Sequence, residues 1–339
     1  MAQQRCFILA ALALISVQEA AMGDNGSVDW VCVAEDVAWA PRDSCGEVVF
    51  DGRMWLLGGW LNSESIGPRD VWSSSDGVHW SEATHEAGWR HGDLPTAVVF
   101  GGRMWFMGGW YAGRLPEGCA GSEVWSSQDG VEWDCATEQA GWSPRIGAAG
   151  VVFKDKMWIL GGLEQYFFGD ESHLRNDVWC TEDGATWRQV TDRAPWSPRA
   201  FHGALVFDGK IWVFGGGNYL PTYRGYNDVW CSEDGLHWTQ VTEHAGWAPR
   251  IWFSAVVYRG CMWVLGGWAN DPSRNFGDAW YSRDGLQWHE LRTETIWSQR
   301  HEHSTYVHDD RIWVVGGNAW PLVDDVWQLS LPQDWSGAG

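Results

Sequence analysis

Six Gly-Gly pairs punctuate the chain: Gly58-Gly59, Gly108-Gly109, Gly161-Gly162, Gly215-Gly216, Gly266-Gly267 and Gly316-Gly317. Their intervals are 50, 53, 54, 51 and 50 residues. A period of this length, held six times, demands a repeat architecture before any other reading. Each pair closes an apolar segment with a central tryptophan: Trp55, Trp105, Trp158, Trp212, Trp263 and Trp313. A second apolar segment precedes it, as in Val48-Val49-Phe50, across a short turn such as Asp51-Gly52.

After a variable loop comes a third segment with Trp72, Trp125, Trp179, Trp230, Trp280 or Trp327. Asp-Gly follows in five units, for example Asp76-Gly77 and Asp234-Gly235. That dipeptide between strands signals a tight hairpin, because such turns need positive φ. A fourth segment holds Trp80, Trp133, Trp187, Trp238 or Trp288, and nine residues on stands another tryptophan (Trp39, Trp89, Trp142, Trp196, Trp247, Trp297). The unit is therefore four short antiparallel strands without helical periodicity. Strands apolar on both faces must be sandwiched, and six radial sheets, each packed on two neighbours, satisfy that demand.

The order of apolar strand, turn, tryptophan strand ending Gly-Gly, loop, aromatic strand, turn and tryptophan resembles the kelch repeat, over residues 29–335. The resemblance implies an all-β, six-bladed kelch-type β-propeller of the galactose-oxidase-like kind, with four antiparallel strands per blade. Trp30 precedes Trp39 by nine, the fourth-strand spacing, so residues 29–34 are expected to close the last blade. Trp335, eight after Trp327, competes for the same slot.

Residues 1–23 read as a secretory signal, with Arg5, an apolar run from Phe7 to Val17 too short to span a bilayer, and small residues ahead of a cut after Gly23. Residues 24–28 form a linker and 336–339 a tail. The expectation is a secreted or lumenal protein, monomeric and without membrane insertion once the signal is removed. Seven cysteines remain, an odd number, with Cys119 and Cys135 in one repeat as the preferred bridge. A net charge of −21, from 23 basic and 44 acidic residues, excludes a nucleic-acid partner.

Of the 30 tryptophans, 25 fall in repeat register. The five that remain, Trp60, Trp110, Trp252, Trp268 and Trp320, all fall on segments that emerge on one face. Tyr219, Tyr223, Tyr166, Phe167 and Phe168 fall there too. Aromatic residues that the fold does not require, gathered on one face, point to recognition of a glycan or a protein. The candidate ligand-binding set is Trp60, Trp110, Trp252, Trp268, Trp320, Tyr219, Tyr223, Arg300 and His301.

An arginine three residues after the inter-blade tryptophan (Arg42, Arg145, Arg199, Arg250, Arg300) coincides with an acid before each third-strand tryptophan, from Asp70 to Asp325. The expectation is a set of pairs pinning adjacent loops. His301-Glu302-His303 lacks a visible third ligand, so no metal, cofactor or catalytic set is assigned. The alternative reading is a carbohydrate-active enzyme, similar to kelch-type sialic acid mutarotases or oxidases, with His202, Arg300, His301 and Glu302 at the channel mouth.

Overall fold

The computed structural model describes residues 28–62, 66–167, 170–335 and 337. The segment read as a signal (residues 1–23), most of the expected linker and Phe168 lie outside these residues. Six four-stranded antiparallel sheets are present, as the repeat predicts. The first comprises Gly46–Phe50, Arg53–Leu57, Val71–Ser74 and Ser81–Thr84. Four further sheets repeat it, and the last joins Ser304–His308, Arg311–Asn318 and Leu322–Leu329 to the N-terminal strand Trp30–Ala34. Trp30 pairs with Leu329 and Cys32 with Trp327. The N-terminal strand thus takes the contested slot.

The tryptophans divide the labour of packing. Second-strand indoles lie between blades and donate to a first-strand carbonyl, as Trp55 does to Phe50 at 3.0 Å. Five third-strand indoles (Trp72, Trp179, Trp230, Trp280 and Trp327) donate to the paired acid, and fourth-strand indoles to the hairpin glycine carbonyl. Fully burying such a ring contributes about 1.5–3 kcal/mol, so these repeats are the main source of cohesion.

Each hairpin glycine lies flat on the second-strand indole of the blade before it. Gly130 faces Trp55, Gly184 faces Trp105, and Gly77 closes the circle on Trp313. Blade six has no such hairpin, because its outer strand comes from the other end of the chain. Trp335 stacks there on Trp263 instead, with ring centroids 5.6 Å apart. The two terminal segments therefore cooperate: one supplies the strand, the other the missing packing.

Two closed circles of backbone hydrogen bonds join the blades. In the outer circle the second glycine of each pair donates to the residue at the arginine position of the next blade. It runs from Gly59 to Gly92, through Gly109, Gly162, Gly216 and Gly267, to Gly317 on Arg42, at 2.8–3.0 Å. Five of these glycines have φ between 99° and 112° and Gly216 has 73°, which side chains rarely tolerate. In the inner circle Ser44, Leu94, Gly147, Phe201, Trp252 and Glu302 each donate to the preceding member, at 2.8–3.3 Å. All six have φ between 51° and 59°.

Gly130 tests the inter-blade contact. At φ 75° a Cβ would overlap the Trp55 ring, so Gly130→Ala should cost about 2–4 kcal/mol from backbone strain and overpacking together. Gly52, also at positive φ but facing open space, should cost only about 1–2 kcal/mol as Gly52→Ala. Denaturant unfolding of both variants checks the difference.

Candidate functional site

The arginines anchor the segments that build the site. Arg42, Arg145, Arg199, Arg250 and Arg300 are between 0% and 4% exposed. Each forms a two-pronged pair with its acid, Arg145 with Asp177 at 2.7 and 3.0 Å and Arg300 with Asp325 at 2.5 and 2.9 Å. Each also donates to the carbonyl of the first glycine of its pair. In blade two His91 substitutes, with Nδ1 2.8 Å from Glu123 and both the Arg90 and His91 amides donating to that carboxylate. Burial raises the Glu123 pKa, but these bonds hold it below the usual carboxylate range.

The arginine positions thus fix the next two residues of every blade around the channel mouth. Those residues are Asp43-Ser44, Asp93-Leu94, Ile146-Gly147, Ala200-Phe201, Ile251-Trp252 and His301-Glu302. The first of each pair bridges, backbone to backbone, the residue that follows the Gly-Gly pair: Trp60, Trp110, Leu163, Gly217, Trp268 and Asn318. Blades six, one and two contribute polar groups to this floor and blades three, four and five contribute apolar ones.

Above it opens a pocket of about 500 Å³, lined by Trp60, Trp252, Trp268, Trp320, Tyr219, Tyr166, Phe167, Arg114 and the polar floor. Six of the nine sequence candidates line it: Trp60, Trp252, Trp268, Trp320, Tyr219 and His301. Trp110 is fully buried and packs edge-on against Tyr166 and Phe167. Tyr223 supports Trp268 edge-on at 5.3 Å. Arg300 does not reach the pocket; it is sequestered in its pair with Asp325. The rings pack on one another and still leave room: Tyr219 lies 4.8 Å from Trp252, and His301 stacks on Trp252 at 5.2 Å.

Asp43 and Asp93 escaped the sequence reading. They sit one residue beyond the arginine register, where the other blades carry Ile, Ala or His. Comparing that single column across the six repeats would have exposed them. Both are buried, at 2% and 4% exposure. Burial pushes Asp43 up to about 7 against a bond from Asn318 at 3.1 Å. Burial, and then the neighbouring carboxyls, raise Asp93 and Glu302 well above their usual range. His301 is pushed down to about 3 by burial, hence neutral. Its Nδ1 meets Asn275 Oδ1 at 2.7 Å, which makes Nδ1 the donor and leaves Nε2 as an acceptor, 3.5 Å from Glu302. Asp43, His301 and Glu302 bring donor atoms within 4.8 Å of one another and offer a mixed nitrogen and oxygen set that could hold a divalent cation.

Below the inner circle a second cavity of about 140 Å³ is lined by Glu47, His202, His303 and Cys45. His303 therefore serves the channel and not the pocket that His301 faces. The preferred Cys119–Cys135 bridge is not formed, and all seven described cysteines are free. Cys119 lies on a loop ribbon with Sγ 3.7 Å from His91, while Cys135 is exposed on the outermost strand of its blade.

Six radial sheets with a mouth pocket define a β-propeller recognition scaffold. A family model described as the KLHDC2/KLHL20/DRC7 Kelch-repeats domain matches residues 95–317, and the chain belongs to the kelch-repeat family. It is 34% identical over 126 residues to "Dynein alpha chain, flagellar outer arm" of Chlamydomonas reinhardtii, covering 34% of this chain and 3% of that one. It is 32% and 30% identical, over 133 and 132 residues, to the alpha- and beta-scruins of Limulus polyphemus. These stretches cover 37% of this chain and 14% of each scruin. Family membership supports a protein-binding module as the broad class. Among the described residues no helix is long and apolar enough to cross a membrane.

Two outcomes test the site's framework. Arg145→Met strands the buried Asp177 carboxylate and should cost about 3–5 kcal/mol in denaturant unfolding; a loss under about 1 kcal/mol would show the pair to be dispensable. Asp43 keeps in the folded state a proton that the unfolded chain releases above pH ~4, so its contribution to stability falls as pH rises from there to about 7. Asp43→Asn should remove that slope, adding stability on the order of a few kcal/mol at pH ~8 and little at pH ~4. Unfolding curves at both pH values read the sign.

Proposed function

We propose that this protein is a non-catalytic recognition module whose loop-bearing face takes part of a glycan or a protein partner into the aromatic pocket at the channel mouth. The observation that carries the reading is the convergence of Trp60, Trp252, Trp268, Trp320 and Tyr219, none required by the repeat, on one open pocket. Trp320 is 55% exposed, a large solvent-facing ring at the rim. Kelch membership favours the protein partner over the glycan. The basic and apolar segments of residues 1–23 support delivery to the secretory pathway.

The enzyme reading draws on a different observation: Glu302 and His301 are neighbours whose titrations burial drives in opposite directions, an arrangement suited to proton transfer. It predicts accelerated interconversion of sugar anomers, lost in Glu302→Gln.

Trp60→Ala and Trp320→Ala separate recognition from folding, because both rings stand at the pocket rim. An array of glycans and peptides screened against the full chain should yield a ligand whose affinity falls tenfold or more in each variant, the usual scale for a buried aromatic anchor. Unchanged circular dichroism confirms the fold. Ligands bound equally by wild type and both variants would place recognition elsewhere.

A further inference from the structure

The pocket floor gathers several hydrogen-bond acceptors. Asp43 Oδ1, Asp93 Oδ1 and Glu302 Oε1 are buried without a hydrogen-bond partner. The side chains of His301 and Glu302 are 7% and 8% exposed, and His301 Nε2 is held as a fourth acceptor by the Nδ1 bond to Asn275. These atoms come from three different blades and face one cavity. The Ser44 hydroxyl lies beside all three carboxyls. No described arginine or lysine pairs with any of the three acids; Arg114, the basic side chain among the described residues that line the pocket, is exposed and lies over the Phe167 ring at 4.8 Å.

Resting on the recognition reading above, we propose that this floor receives the guanidinium of an arginine side chain from a protein partner. Four convergent acceptors match a planar fork of five donors. Trp60, Trp252, Trp268 and Trp320 line the same cavity, and an indole is a side chain against which a guanidinium stacks favourably. The cavity of about 500 Å³ is far larger than a metal ion needs and holds a side chain with its flanking backbone. The net charge of −21 favours approach by a basic partner.

The test uses the full chain and three tripeptides, acetyl-Gly-Arg-Gly-amide and its citrulline and lysine counterparts, titrated by tryptophan fluorescence at low salt. The arginine peptide should bind saturably, at least tenfold more tightly than citrulline and measurably more tightly than lysine. Asp93→Asn and Glu302→Gln, which keep size and remove charge, should each weaken it tenfold or more. Equal binding of citrulline or lysine, indifference to both variants, or no saturation up to about 10 mM overturns the proposal. So does saturable binding of Mn²⁺ or Zn²⁺ that is lost in these variants while the arginine peptide fails to bind. A ligand lost in Trp60→Ala and Trp320→Ala but unaffected by the two acid substitutions would sink the guanidinium alone and leave the pocket standing.

Discussion

A ring of six wedges has to close on itself, and here the second glycine of each pair carries that constraint. Its amide donates to the backbone carbonyl at the arginine position of the next blade, six times without a break. The bond needs φ near 100° in five of the six, which explains why the pair is invariant within this chain while its neighbours vary. The carbonyl is held in place because the arginine side chain is itself buried, bonded to the first glycine of its own blade and forked onto an acid. One buried cation thereby sets the backbone that meets the preceding blade and the backbone that frames the channel. Blade two shows the requirement to be geometric: His91 and two amides on Glu123 hold the same segment without an arginine.

That rigidity makes a functional site cheap to vary. Once the arginine register is fixed, the next two residues of every blade fall around the mouth, where Ile146, Ala200, Phe201, Ile251 and Trp252 belong to a buried cluster of their own, apart from the inter-blade cores. The floor is consequently a short code read around the circle, acidic across blades six, one and two and apolar across three, four and five. The loop ribbons Trp110–Tyr111 with Cys119–Ala120, Gly217–Asn218 with Arg224–Gly225 and Trp268–Asn270 with Ser273–Asn275 raise walls over it. Trp110 and Trp268 begin two of these ribbons, so the same rings that line or back the pocket also brace its walls.

The sequence made the architecture legible because every blade repeats the same solution, and repetition averages out local ambiguity. The N-terminal closure was readable from the spacing of Trp30, and the arginine–acid pairs from their recurrence. Trp335 was harder: its spacing matched a strand, yet it fills the space that a hairpin glycine and its neighbour occupy elsewhere, a role visible only across the ring. Asp43 and Asp93 were missed for the opposite reason. A search for repeated residues discards single-blade departures, and a search for surplus aromatics does not see acids. Arg300 was offered both as ligand and as loop pin; its burial and its fork onto Asp325 place it in the second role.

Three carboxyls gathered in a desolvated floor without a counter-charge lower the stability of the empty protein above neutral pH, because each must either hold a proton or repel its neighbours. A fold that needed only cohesion would place Ile or Ala there, as three of its own blades do. The two hydrogen-bonded circles and the stacked tryptophans make the ring stiff enough to sustain the strain. Acids without a cationic partner, collected where the scaffold tolerates them beneath aromatic walls that open to solvent, are the feature on which the proposed recognition of a cation rests.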